Sequence, residues 1–420
     1  MSKFLIEGGT KLKGKVNIGG FKNAALAIIP SAILCKEKCI IENVPTIEDV
    51  KVFKEILASV GAKVEMLDET SIEIDARDVK EISIAEALPK NIRASYYMWG
   101  VGLGRFKRVS MPLPGGCDIG ERKFDYHIKG FEALGATVEL TDKSITFSAD
   151  KLIGNRIYLD FASVGATINI MLAAVYAEGR TTIENAAKEP HIVDTANFLN
   201  AMGADIKGAG TDVIRINGVS ELRGCTYGVI PDQIEAGTYM IAAAATKGDI
   251  IIDGIIPKHL EPITAKLEEM GMGIEEYGDS LRVFYEKELV PVNIKTLPYP
   301  GFPTDLQQPM AVLLSSLNGE SMIEESIFES RFKYVDELKK MGADIDVNDR
   351  TAKIKGMGFL TGTSVNATDL RAGAALIVAG LVAEGVTEIN EIYHIDRGYE
   401  NIENKFMNLG ARIKRMKSWL

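Results

Sequence analysis

The segment VDELKKMGADIDV, residues 335–347, contains the pattern that decides the fold. Val335, Leu338 and Met341 recur at the spacing that predicts one apolar face of a helix. Gly342 follows at the position where a helix often ends in a left-handed residue, a conformation that side chains disfavour. The first half of the segment therefore predicts an amphipathic helix that ends at a glycine.

The second half predicts a strand, and the whole pattern recurs along the chain. Ala343, Ile345 and Val347 alternate with aspartates, as in a strand with one buried face. Related phrases such as ASVGAKVEM and EALGATVEL occur about every 70 residues, six times in all. Their glycines are Gly61, Gly135, Gly203, Gly271, Gly342 and Gly410. This period is longer than that of most solenoid repeats, and packing alone would account for most of the repeated residues.

A second kind of segment lies between these phrases and is apolar on nearly every side. Examples are TINIMLAAVYAEG (167–179), GTYMIAAAATKG (237–248) and GAALIVAGLVAEG (373–385). Such segments predict helices buried all round, and each precedes a β-rich run such as DIIIDGI. One unit is thus a buried helix, a strand, an amphipathic helix and further strand. Six units in 420 residues predict two domains of three units each, because one core rarely organises so long a chain.

Composition excludes several classes of protein. No apolar run reaches the roughly 18–20 residues of a membrane span, and the N-terminus lacks the apolar core of a signal peptide, so we expect a cytoplasmic protein without membrane insertion. The net charge of −10 argues against nucleic-acid binding, so an anionic ligand needs cations gathered locally. The four cysteines show no paired metal or disulfide spacing, which favours a reducing compartment. They are Cys35, Cys39, Cys117 and Cys225.

Polar residues at the starts of the buried helices are the first functional signal. Ser163 and Asp369 are of the types that cap helix N-termini. Capping does not explain Lys22, Arg93 or Arg371, because cations oppose the positive end of a helix dipole unless an anion lies between. If the buried helices of each domain run parallel, their N-termini share one face, and two such faces would enclose an anion-binding cleft. The alternative is that each cation pairs with a nearby carboxylate.

Five motifs, taken together and in order, resemble one enzyme family. They are LPGGCDIGERKFDYH (113–127), FPTDLQ (302–307), FESRF (328–332), ATDLRAGAALIVAGLVAEG (367–385) and HIDRGYE (394–400). Across nearly the whole chain the sequence resembles the UDP-N-acetylglucosamine 1-carboxyvinyltransferases. The resemblance implies an α/β (α+β) fold, a two-domain inside-out α/β barrel of six repeated units with buried helices and outer sheets. It implies a first domain at residues 21–229, a second at 1–20 and 230–420, and an active site in the cleft between them.

The resemblance also implies the reaction. The family transfers enolpyruvyl from phosphoenolpyruvate to the 3′-hydroxyl of UDP-N-acetylglucosamine and releases phosphate, the first committed step of peptidoglycan synthesis and hence of cell-wall biogenesis, cell shape and cell division. Addition protonates C3 while the sugar oxygen attacks C2; elimination then removes phosphate and a C3 proton. No cofactor or metal is implied, and we interpret the four widely separated histidines as structural. The implied protein is a monomer or weak homo-oligomer.

Cys117 stands in a glycine-rich, charged stretch where a buried core residue is not expected. The family's loop cysteine protonates phosphoenolpyruvate or adds to it, and fosfomycin alkylates it. A thiol suits these roles because neighbouring cations raise its thiolate fraction. Arg122 and Lys123 are close in sequence, whereas Asp118 and Glu121 oppose them. The other three cysteines lack this setting and are interpreted as packing residues.

The resemblance assigns the remaining site residues. Lys22, Arg122 and Arg397 would bind phosphoenolpyruvate, assisted by Asn23 and Arg371. Asp305 would be the base for the sugar hydroxyl, or otherwise a helix cap. Asp369 would shuttle the C3 proton or orient a neighbour. The full catalytic set is Cys117, Lys22, Asp305, Asp369 and Arg397. Further substrate-binding positions are Arg93, Arg122, Lys123, Phe124, Asp125, Tyr126, Ser163, Val164, Gly165, Ile327 and Arg331. Of these, Phe124, Tyr126 and Ile327 would equally suit a core.

One departure from the family pattern lies beside a predicted catalytic residue. Phe21 stands before Lys22 where alanine is usual, and its ring would narrow the pocket or shift a hinge. Three other functions stay open at this point. The shikimate-pathway enolpyruvyl transferase shares the fold and donor but lacks the loop cysteine. A weakly catalytic paralogue would bind the nucleotide sugar, and a repeat scaffold would bind protein partners.

Overall fold

Two kinds of helix alternate along the chain, as the sequence predicts. The computed structural model describes residues 2–84, 92–115 and 124–417. In chain order the helices are α1 (Lys22–Ser31), α2 (Glu48–Ser59), α3 (Tyr97–Phe106), α4 (Asp125–Ala133), α5 (Val164–Ala174), α6 (Pro190–Ala201), α7 (Gln233–Ala245), α8 (Glu261–Met270), α9 (Gln307–Ser315), α10 (Val335–Lys340), α11 (Leu370–Val382), α12 (Tyr393–Asp396) and α13 (Ile402–Asn408). Helices α1, α3, α5, α7, α9 and α11 are buried on nearly every side, whereas α2, α4, α8 and α10 keep an exposed face.

The strands form sheets of one repeated design. In chain order they are β1 (Ser2–Glu7), β2 (Lys13–Asn17), β3 (Lys38–Glu42), β4 (Lys63–Met66), β5 (Ile72–Asp75), β6 (Ile82–Ser83), β7 (Arg108–Pro112), β8 (Thr137–Leu140), β9 (Ser144–Ser148), β10 (Arg156–Tyr158), β11 (Arg180–Glu184), β12 (Asp205–Lys207), β13 (Val213–Asn217), β14 (Thr226–Gly228), β15 (Asp249–Asp253), β16 (Met272–Tyr277), β17 (Ser280–Tyr285), β18 (Ile294–Lys295), β19 (Asn318–Glu324), β20 (Asp344–Asn348), β21 (Thr351–Met357), β22 (Ser364–Asn366), β23 (Val386–Asn390) and β24 (Arg412–Lys417). Over the described residues they make six four-stranded sheets, ordered β14-β3-β5-β4, β6-β7-β9-β8, β10-β11-β13-β12, β16-β17-β15-β2, β18-β19-β21-β20 and β22-β23-β1-β24.

Each sheet combines one parallel pair with two antiparallel pairs. In the β10-β11-β13-β12 sheet, β10 runs parallel to β11, and the other pairs are antiparallel. Ile183 lies opposite Ile214, and Ile206 opposite Ile216, and all four side chains are buried. One face of the sheet is therefore apolar and packs inward, as the alternation within the repeated phrases predicts.

The N-terminal strand completes the last sheet. In each of the first five sheets, the edge strand and an antiparallel neighbour are consecutive in the chain, as β12 and β13 are. In the last sheet, β1 occupies the place beside β24, with Ile6 opposite Ile413 and Phe4 opposite Ile389. Phe4 and Ile6 are fully buried, so the start of the chain forms part of the core around α11.

The described chain divides into two compact units. We call residues 20–84, 92–115 and 124–230 the N-terminal unit, and residues 2–19 and 231–417 the C-terminal unit. The buried helices α1, α3 and α5 belong to the first, and α7, α9 and α11, which contact one another pairwise, belong to the second. The longest of these described helices, α7 and α11, have 13 residues, and none has the length and apolar character of a membrane span.

The six phrase glycines adopt the left-handed conformation that the sequence predicts. Their φ values are 95° (Gly61), 96° (Gly135), 106° (Gly203), 114° (Gly271), 91° (Gly342) and 92° (Gly410). In the segment 335–347, Leu338, Met341 and Ile345 are buried as predicted, but Val347 is 36% exposed. The prediction is wrong at Val347, which lies next to the last residue of the edge strand β20.

Candidate active site

Asp305 lies between two buried arginines in the C-terminal unit. It belongs to a 3-10 turn, Thr304–Leu306, that leads into α9. Arg331 Nη2 donates to Oδ1 at 2.6 Å, Arg371 Nε donates to Oδ2 at 3.2 Å, and Arg371 Nη2 forms an ion pair with Oδ2 at 3.0 Å. The side chains of Arg331 and Arg371 are 3% and 4% exposed, whereas that of Asp305 is 25% exposed. The site thus presents a reachable carboxylate whose charge two buried guanidinium groups balance.

The two arginines keep donors that other described residues do not use. Arg331 Nε and Arg371 Nη1 are buried and have no hydrogen-bond partner within residues 2–84, 92–115 and 124–417. A buried donor without a partner is unfavourable, and an anionic ligand would satisfy it. This favours the substrate-binding roles that the resemblance implies for Arg331 and Arg371.

Glu325 holds the loop of Arg331 against the turn of Asp305. Its carboxylate is fully buried and accepts the Ile327 and Phe328 N–H groups at 2.8 and 3.1 Å. Its other oxygen accepts the Thr304 hydroxyl at 2.9 Å. Sequence reasoning missed Glu325, because a glutamate at a strand end resembles an ordinary surface charge. Ile327 is half-buried on this loop.

The charged groups at the N-termini of α7, α9 and α11 act on one another. Burial lowers the pKa of Arg371, but the Asp305 carboxylate, Tyr399 and Asp232 more than offset this and raise the pKa above its ordinary value. The Arg371 guanidinium also lies 5.4 Å from the centre of the Tyr399 ring. Asp232 caps α7, Asp305 precedes α9 and Arg371 opens α11. The three helix N-termini therefore lie at one end of the C-terminal unit.

Asp369 is the N-terminal cap of α11. Its Oδ1 accepts the N–H groups of Arg371 and Ala372 at 2.8 and 3.0 Å, so the capping that the sequence predicts is present. Arg397 follows α12 and is half-buried. Burial and then the charge of Arg397 lower the pKa of His394, while Asp369 opposes this effect. Asp369 and Arg397 thus both act on His394, a residue that the sequence treats as structural.

Lys22 in the N-terminal unit is paired with Asp49. Lys22 is the first residue of α1, and its Nζ lies 2.8 Å from Asp49 Oδ2, with 9% and 5% of the side chains exposed. Asp49 stands in the first turn of α2, where the helix dipole favours an acid. The pairing with carboxylates that the sequence left open is therefore present at Lys22 and at Arg371. Sequence reasoning missed Asp49, because its position predicts only a helix start.

Arg93 lies against a cluster of buried aromatic side chains. Its guanidinium is 4.3 Å from the centre of the Phe124 ring, and Phe124 packs edge-on against Trp99 at 5.0 Å. His127 accepts or donates a 2.9 Å hydrogen bond with Asn169. Burial and then the charge of Arg93 lower the pKa of His127 to about 3, so this histidine is neutral near pH 7. Its structural role is as the sequence predicts.

The start of α5 lies beside the same cluster. A Cβ on Gly165 would meet Tyr96 Oη at 2.7 Å and His127 Cε1 at 3.2 Å, so the backbone approaches the aromatic rings closely. Ser163 caps the helix by accepting the Ala166 N–H at 3.3 Å. The structure therefore brings Arg93, Phe124 and the segment 163–165 together, while Asp125 is exposed and Tyr126 half-buried on α4.

Several sequence predictions fall elsewhere. Cys117, Arg122 and Lys123 lie outside the described residues. Asn23 is half-buried beside Lys22 on α1, and Phe21 is 1% exposed with its ring edge-on to His191 at 5.3 Å. Phe21 is therefore a packing residue within the N-terminal unit. No group of three or more histidine, cysteine or acidic side chains within the described ranges could hold a metal ion.

Comparison with known proteins gives concordant matches. The family model of EPSP synthase (3-phosphoshikimate 1-carboxyvinyltransferase) matches residues 6–406. The chain is 58% identical over 417 residues to the UDP-N-acetylglucosamine 1-carboxyvinyltransferase of Clostridium botulinum, covering 99% of this chain and 100% of that relative. It is also 58% identical over 418 residues, with the same coverage, to UDP-N-acetylglucosamine 1-carboxyvinyltransferase 2 of Clostridium acetobutylicum.

Solved structures extend this similarity to the fold. The enolpyruvyl transferase NikO from Streptomyces tendae superposes with a TM-score of 0.89 at 26% identity, covering 99% of both chains. EPSP synthase from Acinetobacter baumannii superposes with a TM-score of 0.76 at 18% identity, covering 99% of this chain and 100% of that chain. The second comparison supports the fold alone.

Proposed function

The chain belongs to the family of UDP-N-acetylglucosamine 1-carboxyvinyltransferases, and we propose that it transfers enolpyruvyl from phosphoenolpyruvate to the 3′-hydroxyl of UDP-N-acetylglucosamine, releasing phosphate. The observation that carries this function is the 58% identity over the full length of two relatives with this name. The α/β fold of six repeated sheet units, predicted from the sequence, is confirmed by the observed sheets and by the similarity to a solved enolpyruvyl transferase structure. The enzyme is a transferase of peptidoglycan synthesis.

Asp305 is the proposed base for the sugar hydroxyl. In the addition step a proton goes to C3 of phosphoenolpyruvate while the sugar oxygen attacks C2. The sugar hydroxyl must then lose its proton to a nearby acceptor, and a partly exposed carboxylate suits this role. The flanking guanidinium groups of Arg331 and Arg371 stabilise the ionised form of Asp305, which is the form that accepts a proton.

The proposed ligands of phosphoenolpyruvate are Lys22, Arg122 and Arg397, assisted by Asn23 and Arg371. The donor carries several negative charges, and these cations supply charge against a chain with a net charge of −10. The contact between Lys22 and Asp49 is compatible with this role, because an ammonium group has three donors and one can remain on Asp49. Elimination then needs an acceptor for the C3 proton, for which Asp369 is proposed.

The aromatic cluster and the start of α5 are the proposed site of the nucleotide sugar. A helix N-terminus presents backbone N–H groups and a positive dipole end, which suit a diphosphate. Arg93 adds a full positive charge to the aromatic cluster that Gly165 approaches, and Phe124, Asp125, Tyr126 and Ile327 are proposed to shape the site. Cys117 is the proposed proton donor to C3, with Arg122 and Lys123 as its cationic neighbours. We further propose that the enzyme is cytoplasmic and a monomer or weak homo-oligomer.

The acceptor is tested by release of phosphate from phosphoenolpyruvate. The purified protein is offered UDP-N-acetylglucosamine or shikimate 3-phosphate, and phosphate is measured with each. We expect release with UDP-N-acetylglucosamine alone. Release with shikimate 3-phosphate alone would refute the proposed acceptor, and saturable binding of UDP-N-acetylglucosamine without release would identify a weakly catalytic paralogue.

The role of Asp305 is tested by Asp305→Asn, which preserves shape and removes the charge. A lost general base lowers kcat by about 10²–10⁴-fold, with a smaller change in KM. The matched control is Asp249→Asn, because Asp249 also accepts two bonds from one arginine, Arg282, at 2.9 Å on an outer sheet of the same unit. We expect the control to retain kcat. If the folded Asp305→Asn protein has a kcat within tenfold of wild type, Asp305 is not the general base and its role is structural.

A further inference from the structure

Three cysteines from two distant parts of the sequence converge in the N-terminal unit. Cys35 follows the 3-10 turn Ala32–Leu34 at the end of α1, and Cys39 lies in β3. Their sulfur atoms are 3.6 Å apart. Cys225 directly precedes β14, the edge strand that pairs with β3. We call Cys35, Cys39 and Cys225 the thiol cluster.

Strand pairing places Cys225 beside Cys39. Strands β14 and β3 are parallel, with Thr226 opposite Ile40, and the Ile40 N–H donates to the Cys225 carbonyl at 2.9 Å. Cys225 and Cys39 directly precede this pair of residues, so they are neighbours across the two strands. Neighbouring strands lie about 4.8 Å apart, and disulfides join Cα atoms about 4.4–6.8 Å apart. A bond between the two sulfurs therefore requires little movement of the backbone.

The members of the thiol cluster differ in accessibility and acidity. Cys35 and Cys39 are 1% and 0% exposed, whereas Cys225 is half-buried. Interaction with the Cys225 side chain is the largest cause that raises the pKa of Cys39 to about 12. The same interaction lowers the pKa of Cys225, because the Cys39 thiol stabilises its thiolate. Cys225 is thus the reachable thiol, and Cys39 is the neutral thiol held next to it.

We propose that the thiol cluster is a modification site at which Cys225 and Cys39 form a reversible disulfide on reaction with hydrogen peroxide. The Cys225 thiolate attacks one peroxide oxygen and the O–O bond breaks. Hydroxide departs as the leaving group, and Cys225 becomes a sulfenic acid. The Cys39 thiol attacks this sulfur, the S–O bond breaks, and the departing hydroxide takes the Cys39 proton as water. In total, the two thiols lose two electrons and two protons to form the disulfide. These electrons and protons convert one hydrogen peroxide into two water molecules.

Two observations favour oxidation over other roles for the thiol cluster. Within the described ranges no group of three or more potential ligands, including these sulfurs, is arranged to hold a metal ion. Simple packing does not require a half-buried, more acidic thiol to lie across two paired strands from a buried one. A buried partner also favours capture of the sulfenic acid before a second peroxide reaches it. This proposal concerns the N-terminal unit alone and does not depend on the proposed reaction.

The test uses the full-length Cys117→Ser protein, in which the thiol cluster contains the only cysteines. The native protein is treated with hydrogen peroxide, free thiols are blocked with N-ethylmaleimide, and intact mass and non-reduced tryptic peptides are measured. Lys36 and Lys38 let trypsin separate Cys35 from Cys39, so each pairing gives a distinct linked peptide. We expect a loss of about 2 Da, one blocked thiol and a Cys39–Cys225 peptide that dithiothreitol removes.

Matched variants identify the two partners. Cys35→Ser should retain the linked peptide, whereas Cys225→Ser should abolish it at the same peroxide concentration. Linkage only between Cys35 and Cys39, or conversion of Cys225 to sulfinic acid with a gain of about 32 Da and no link, would overturn the proposal. Linkage that forms only after unfolding in urea would also overturn it, because the native arrangement would then have no part in the reaction.

Discussion

The contribution of Lys22 to stability and its contribution to catalysis can be measured separately, because Lys22 is paired with Asp49. Both side chains are nearly buried, with their charged atoms 2.8 Å apart. Lys22→Met leaves the Asp49 carboxylate without this partner in a poorly solvated position. Adding Asp49→Leu replaces the pair by two apolar side chains of similar size, which removes the uncompensated charge.

The expected magnitudes follow from burial. Removing one member of a buried ion pair lowers the free energy of unfolding by about 3–5 kcal/mol, while replacing both members by apolar groups is often neutral. Lys22→Met should therefore be destabilised by about 3–5 kcal/mol, and the double variant should recover most of that loss. Urea unfolding monitored by circular dichroism measures both values.

Catalysis should respond differently from stability. If Lys22 binds phosphoenolpyruvate, its loss removes a charge-assisted contact of about 2 kcal/mol or more, roughly a 30-fold fall in kcat/KM for the donor. The double variant should be stable and still impaired. Lys405→Met is the matched control, because Lys405 also pairs with a nearly buried acid, Glu235, at 2.6 Å, and should lose stability but keep kcat/KM. Recovery of phosphate release in the Lys22→Met, Asp49→Leu protein would refute the reasoning and reduce Lys22 to a structural ion pair.

Three further predictions concern single residues. Burial lowers the pKa of His127 from the ordinary 6.5 to about 3, so its contribution to stability is complete above pH 6.5 and is lost as the pH falls towards 3. Between pH 7.5 and 5.5, the free energy of unfolding should therefore fall by about 1.4 kcal/mol more in wild type than in His127→Gln. Urea unfolding at the two pH values measures this difference. Gly165→Ala should raise KM for UDP-N-acetylglucosamine several-fold, because its Cβ would meet Tyr96 at 2.7 Å, whereas Gly228→Ala, with open space at its Cβ, should not. Asp369→Ala should lose about 1 kcal/mol of stability with its two capping bonds, and Asp369→Asn should keep the cap; full turnover in Asp369→Asn would exclude a proton shuttle.

Local patterns were readable from the sequence because they depend on neighbours in the chain. The spacing of Val335, Leu338 and Met341, followed by Gly342, predicted a helix and its left-handed end, and both are present. Ser163 and Asp369 were recognisable as caps for the same reason, since a cap bonds to residues two or three positions away. Val347 shows the limit, because the alternation predicts a buried position and its side chain is 36% exposed.

The repeated unit and the buried helices could be predicted from the sequence, because periodicity and capping are short-range properties, while the residues of the proposed site came from the family resemblance. Which of those residues touch depends on tertiary packing. It paired Lys22 with Asp49, set Asp305 between Arg331 and Arg371, and joined β1 to the last sheet. These contacts join residues far apart in sequence, and they form only when sheets and helices pack. The composition of a segment carries no record of which distant segment will lie against it.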